Sequence, residues 1–244
     1  MKQHFNTLII AIGIIITAAI LGGAWKGSHV RNETNSVTGL AKQDFVSDLI
    51  VWDGYFTAQS KSTKEAYAQL KKDAEIIKKY LISKGIKENE LVFSSVDINS
   101  DYEYIYGKDG NITQKIFKGY ILTQNIKIES KEVDKIENIS REVSELIDLG
   151  VNFISSSPEY YYTKLAELKI KMLSMATEDA RNRAEAIAIN AKSSLGNLKK
   201  ADMGIFQITA QNSSEDNYSY GGAFNTSSKN KTASITVHLE FGIK

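Results

Sequence analysis

The sequence predicts an α+β domain, antiparallel sheet packed with helices, preceded by one N-terminal transmembrane helix. Three observations predict it. Residues 7–25 (TLIIAIGIIITAAILGGAW) carry no charge, and at ~1.5 Å per residue they just span a hydrocarbon core of ~30 Å. Downstream, β-branched and aromatic residues cluster or alternate at 48–59, 116–129 and 234–243, as strands require. Between these runs, apolar residues recur at helical spacing and stop at Gly85 and Gly150, the residue that ends helices at little steric cost.

Taken in order, residues 1–29 read as a signal-anchor or transmembrane segment. A signal peptide cut near Gly22, Gly23 and Ala24 is the alternative. Length favours a retained anchor, because a secretory apolar core is usually ~7–15 residues and the cleavage positions lack an A-x-A pattern. Lys2 before the run and Lys26 and Arg31 after it leave the positive-inside count nearly even. Residues 30–36 form a polar linker, and residues 37–244 the domain.

Val37 to Gly39 opens the fold. Residues 48–59 (DLIVWDGYFTAQ) form a strand with Leu49, Val51 and Tyr55 on one face and Ile50, Trp52 and Phe56 on the other, buried on both. Ser62 and Glu65 have capping-box spacing, and Ala66, Leu70, Ala74, Ile77 and Leu81 carry the helix to Gly85. Residues 91–98 alternate as a strand, and Asp109-Gly110 marks a hairpin turn before the strand at 116–129. Ser130 is placed to cap a helix whose Val133, Ile136, Ile139, Val143, Leu146 and Ile147 share a face. A short strand covers 151–155. Ser157-Pro158 then opens a helix reaching Lys192, with Ala176, Ala180, Ala184, Ala188 and Ala191 in its second half, a face suited to close packing. Strands at 204–211 and 234–243 flank a loop, 212–231, longer than compact domains usually leave unstructured.

At 42% hydrophobic and 24% charged residues the chain has the balance of a folded protein, and it has no cysteine. That removes disulfides, thiolate metal sites and cysteine nucleophiles together. With Lys2, Lys26, Arg31 and Glu33 set aside, 27 basic residues face 28 acidic ones, a net of about −1. Nucleic-acid binding and a polybasic membrane patch therefore have no electrostatic support.

The motifs that could carry chemistry fail one by one. Asp97, Asn99 and Asp101 have the spacing of a calcium loop's first ligands, but Tyr102 stands where Gly is required and Lys108 where Glu is. His4, His29 and His238 are too scattered for a zinc set or a triad. Serines and lysines are plentiful, yet no G-x-S-x-G or S-x-x-K context is convincing. Glu178, Asp179, Arg181, Arg183 and Glu185 read as a solvated helix face, with Arg181 and Glu185 as an i, i+4 pair. Gly221-Gly222 lacks the strand–glycine–helix setting of a nucleotide loop. No catalytic, cofactor or metal residue is assigned, and no cofactor is expected. The candidate interface residues are aromatic: Tyr160, Tyr161 and Tyr162, which cannot all face one core from the first turn of a helix, and Tyr218, Tyr220 and Phe224 in the polar loop.

Three segments, VTGLAKQDFVSDLIVWDGYF (37–56), YLISKGIKENEL (80–91) and ATEDARNRAEAIAINAKSSLGNL (176–198), resemble the SIMPL-domain (YggE-like) family of bacterial envelope proteins. They fall in family order and span nearly all of the chain after Ser36. The resemblance implies an exported α+β domain without an assigned activity. Some members form large rings, and some are linked to oxidative-stress tolerance. The resulting expectation is a non-enzymatic, self-associating envelope protein, anchored in the inner membrane with its domain in the periplasm, or exported there if the signal is cleaved. A tethered module binding a small molecule or peptide is the alternative, and an unrecognised hydrolase the third reading.

Overall fold

The computed structural model describes residues 12–22, 33–213 and 222–244. Residues 12–22 are helical (α1). Among the described residues no helix is long and apolar enough to cross a membrane. Both ends of the apolar run at 7–25 lie outside the described residues, as do His4, His29, Tyr218, Tyr220 and Gly221.

The later elements are β1 (Thr34–Val46), β2 (Leu49–Ser60), α2 (Thr63–Ser83), β3 (Leu91–Tyr106), β4 (Ile112–Ser130), α3 (Val133–Glu142), β5 (Phe153–Ser155), β6 (Glu159–Tyr161), α4 (Leu165–Asn190), β7 (Leu195–Met203), β8 (Gln207–Ala210) and β9 (Asn230–Ile243). They form two antiparallel sheets, one ordered β1-β9-β7 with β8 also on β9, the other ordered β3-β4-β2-β5 with β6 also on β2. The α+β expectation for the domain holds.

The chain divides into two compact units. The larger comprises Ala41–Ser174 and Ile205–Ile235. Its core lies where α2 and α3 cover one face of the β3-β4-β2 sheet. Ile50, Trp52 and Phe56 of β2 and Leu122, Ile126 and Ile128 of β4 are at most 1% exposed. They meet Leu70, Ile77 and Leu81 of α2 and Ile136 of α3 in one cluster, each such side chain contributing ~1.5–3 kcal/mol by leaving water. Trp52 also donates its indole N–H to Ser155 Oγ at 2.9 Å. Only this face of β2 is buried. Leu49 and Val51 are half-buried and Tyr55 is exposed, so the expected burial on both faces is corrected: an antiparallel sheet can leave its second face in water.

Helix entry also differs from the sequence expectation. Ser62 is the N-cap of α2 but its side chain makes no capping bond. Ser60 supplies the hydroxyl instead, donating to Glu65 Oε2 and accepting from the Ser62 N–H. Glu132, not Ser130, is the N-cap of α3, and Ser130 Oγ donates to Glu90 while accepting the Glu132 N–H. Both serines brace the turn one step before the helix.

The smaller unit comprises Met1–Leu40, Met175–Gly204 and Thr236–Lys244. Here Ala176, Ala180, Ala184 and Ala188 of α4, all at most 1% exposed, form a stripe with four-residue spacing. It lies against β1: a Cβ on Gly39 would stand 2.1 Å from the Ala176 carbonyl oxygen and 2.7 Å from Ala180 Cβ. Asn35 donates its side-chain amide to the Ala184 carbonyl, and the Leu40 N–H donates to Asp179. The small-residue face therefore serves the close packing expected of it, against a sheet strand, while Ala191 lies past the helix end and is exposed.

Several boundaries move. β1 begins at Thr34, so the last residues of the expected 30–36 linker are strand. The helix expected from Pro158 starts at Leu165, because residues 159–161 pair with β2 as β6. The strand expected at 204–211 is the shorter β8, at 207–210, and β7, which ends at Met203, was not expected. β9 begins at Asn230, inside the expected loop.

Candidate functional site

β4 is the longest strand, and its two ends have different partners. It pairs with β2 only from Tyr120 to Ser130, whereas its pairing with β3 continues from Gly119 opposite Asp101 out to Ile112 opposite Tyr106. Residues 101–118 thus run on past the end of β2 as a two-stranded ribbon. Gly119 marks the exit, with φ +146° and space for a Cβ only 2.5 Å from the Ser60 carbonyl oxygen. That conformation and approach suit glycine alone.

Two-stranded ribbons are marginal in water unless their side chains pair well. This one carries an aromatic face. Tyr102 and Phe117 stand edge-on at 5.6 Å between ring centroids and Phe117 and Tyr120 edge-on at 5.2 Å, while Tyr102 and Tyr104 are tilted at 6.5 Å. Lys115 Nζ lies 3.7 Å above the Tyr102 ring, a cation–π contact, and Lys118 pairs with Glu103. Large apolar side chains stay exposed along it, Tyr104 at 43%, Phe117 at 44%, Ile112 at 55% and Tyr106 at 62%. A ribbon with exposed aromatic side chains, whose β3 edge pairs with no strand among the described residues, is the feature that folded proteins normally cover.

The aromatic residues singled out from the sequence take other places. Tyr160, Tyr161 and Tyr162 do not sit in a helix turn. Tyr160 is 7% exposed in β6, its N–H donating to the Thr226 carbonyl, so it offers little surface; its hydroxyl pKa is raised by burial and by Glu137. Tyr161 is half-buried and donates to Glu159, while the Tyr162 ring packs on Phe45 at 4.8 Å. Phe224 is 50% exposed and makes a parallel bridge with Ile208.

Beside Phe224 lies a group that sequence reasoning missed. Lys231 of β9 is 1% exposed. Its Nζ donates to the Tyr160 carbonyl at 2.5 Å and the Asn225 carbonyl at 2.6 Å, with the Phe224 ring centroid 5.8 Å away. No carboxylate pairs with it among the described residues, and burial pushes its ammonium down to about 8. Ser47, 4% exposed, is nearby in the strand register, since its N–H donates to the Lys229 carbonyl. Ser47 Oγ has no hydrogen-bond partner among the described residues, and the Lys231 bonds go to carbonyls, so the two form no serine–lysine dyad. The signal available in the sequence was a lysine at an inward register position of an alternating strand.

The remaining motifs are structural. Asp97, Asn99 and Asp101 lie in β3, and Asp101 accepts from Gln59, so they form no calcium loop. His238 is exposed and 3.2 Å from the Thr38 hydroxyl. On α4 the ion pair is Asp179 with Arg183, at 2.9 Å, in place of the expected Arg181 with Glu185. Among the described residues no group of three or more His, Cys, Asp or Glu could hold a metal ion.

A family model described as SIMPL, protein of unknown function (DUF541), matches residues 36–241. No curated protein matches the chain.

Proposed function

The chain belongs to the SIMPL family, and from that premise we propose that it is a non-enzymatic envelope protein that self-associates through its β3–β4 ribbon. In this reading residues 7–25 tether the chain to the inner membrane and the domain works in the periplasm, near neutral in charge and without nucleic-acid contacts. The observation that carries self-association is the ribbon itself: Tyr104, Tyr106, Ile112 and Phe117 are all at least 43% exposed. Leaving such a patch wet forgoes ~25 cal/mol for each Å² of apolar surface that a partner would cover. A second copy is the occupant proposed, because rings occur among members of the family the chain resembles and because the near-neutral domain raises little repulsion between copies. A role in stress tolerance would follow from such an assembly at the membrane.

The test is the mass of the full chain by light scattering across a wide concentration range, with a Tyr104→Ser, Phe117→Ser double variant beside it. A large discrete assembly that dissociates in the variant, with the thermal unfolding of the core unchanged, is the expected result. A monomer throughout, or an assembly indifferent to both substitutions, refutes it.

A further inference from the structure

The larger unit holds a groove of about 250 Å³ at the seam between α2 and the β3–β4 pair. Leu70 and Ala74 of α2 and Phe93 and Val96 of β3 give it an apolar lining, which Gln124 of β4 and Glu75 of α2 complete with polar groups. Its size and chemistry suit one aromatic ring. A cavity of ~150 Å³ already holds benzene, so this volume takes a ring and its stem. Gln124 donates its side-chain N–H to the Ser94 carbonyl, which leaves the amide oxygen as an acceptor, the partner that a buried phenol needs.

The same chain carries the matching ring. Tyr104 is 43% exposed, and its one ring contact among the described residues is Tyr102, tilted at 6.5 Å. Phe117, by contrast, is held between Tyr102 and Tyr120. Phe93, Val96 and Tyr120 all pack on the core, and from Tyr120 the ring contacts run through Phe117 and Tyr102 to Tyr104. Groove and aromatic face therefore lie on the same side of β3 and β4. Within one chain they cannot meet, because Val96 and Tyr104 are eight residues apart along one strand, ~27 Å at ~3.4 Å per residue.

Charge is complementary as well. Lys115 lies 5.6 Å from the Tyr104 ring centroid and makes no salt bridge among the described residues. On the groove's rim Lys78 is taken by Glu88, which leaves Glu75 without a salt bridge among the described residues. Lys71 stands on the rim too. A rim with both signs fixes register, Lys115 toward Glu75 and away from Lys71.

We propose that the groove between α2 and β3 receives the ribbon of a second copy. Tyr104 sits on Leu70, Ala74, Phe93 and Val96, its hydroxyl donates to the Gln124 amide oxygen, and Lys115 meets Glu75. This docking rests on self-association through the ribbon and adds the surface that the ribbon meets. Each copy has one ribbon and one such groove, so the contact can repeat from copy to copy.

The test is light scattering of the full chain in four variants: Ala74→Trp, which fills the groove, Glu75→Lys, Lys115→Glu, and the last two combined. Ala74→Trp should weaken assembly at least about tenfold. Each charge reversal should weaken it about fivefold, and the combination should restore it to within about twofold of the wild type. Glu75 and Lys115 are both exposed, so the reversals remain decisive even if Ala74→Trp does not fold. Assembly that Tyr104→Ser, Phe117→Ser abolishes but the groove variants leave intact overturns the docking and keeps the ribbon reading. Reversals that weaken assembly without mutual rescue overturn the pairing of Lys115 with Glu75. A wild-type chain that stays monomeric overturns both the docking and the ribbon reading.

Discussion

Replacing Lys231 with Met should change how stability depends on pH. Lys231 is 1% exposed and burial lowers its ammonium from 10.5 to about 8. In the unfolded chain the amine keeps its ordinary value, so between about pH 8 and 10.5 the unfolded state binds more protons. Stability must therefore rise with pH across that window. At ~1.36 kcal/mol per pH unit the rise is at most about 3 kcal/mol, reduced to the extent that the Tyr160 and Asn225 carbonyls hold the charged form. Lys231→Met abolishes the rise. At pH 7 the variant escapes the cost of burying a charge but strands two carbonyl acceptors, each worth ~1–3 kcal/mol, so its stability should fall within about 2 kcal/mol of the wild type. Urea unfolding followed by tryptophan fluorescence is the assay, since Trp52 is 0% exposed in the same unit. Tyr80, Tyr160 and Tyr161 are raised above 10 and oppose the trend only near the top of the window. The difference between wild type and variant isolates the lysine. Parallel curves for the two proteins from pH 8 to 9.5 would show that the buried amine does not titrate as argued.

Two further outcomes can be checked with simpler measurements. Gly39→Ala places a Cβ 2.1 Å from the Ala176 carbonyl oxygen, and overpacking of this kind costs ~1–3 kcal/mol; a thermal midpoint equal to wild type would mean that α4 withdraws freely from β1. Glu137 is held below its ordinary value mainly by the hydrogen bond from Lys229, so its stabilisation is present above 4.5 and lost as pH falls through the lower native value. Glu137→Gln should cost about 1 kcal/mol at pH 7 and close the gap in acid, and a gap that persists at pH 2 would assign the effect to packing.

What the sequence made legible was the part of the fold with large inward residues. The alternation of Ile235, Val237, Leu239 and Phe241 located β9, all four being buried, and the apolar faces of α2 and α3 were read from residues of the core, except Ile147, which was expected on that face and is 63% exposed. β1 escaped because it faces an alanine stripe: its inward positions are Val37, Gly39 and Ala41, too small to show a hydrophobic alternation. β7 escaped for the opposite reason, an edge strand with bulged pairing and no buried residue. Pro158 was read as a helix start, yet the tyrosines after it favour strand and find a free edge on β2. The ribbon and Lys231 depend on which strand ends first and on which face a register turns inward. Those are properties of pairing between distant segments, and no local pattern encodes them.

β4 is one unbroken strand of 19 residues, about 65 Å at ~3.4 Å per residue, and its two ends live in different surroundings. At one end Ile126 and Ile128 are locked in the core; at the other Ile112 stands in water. Mechanically it is a cantilever, clamped along the Tyr120–Ser130 pairing with β2 and free beyond Gly119. A load on the tip is borne as shear along strand hydrogen bonds, the direction in which a ladder resists best, and Gly119 sets where bending concentrates. Whatever grips the ribbon therefore pulls directly on the strand that carries the core.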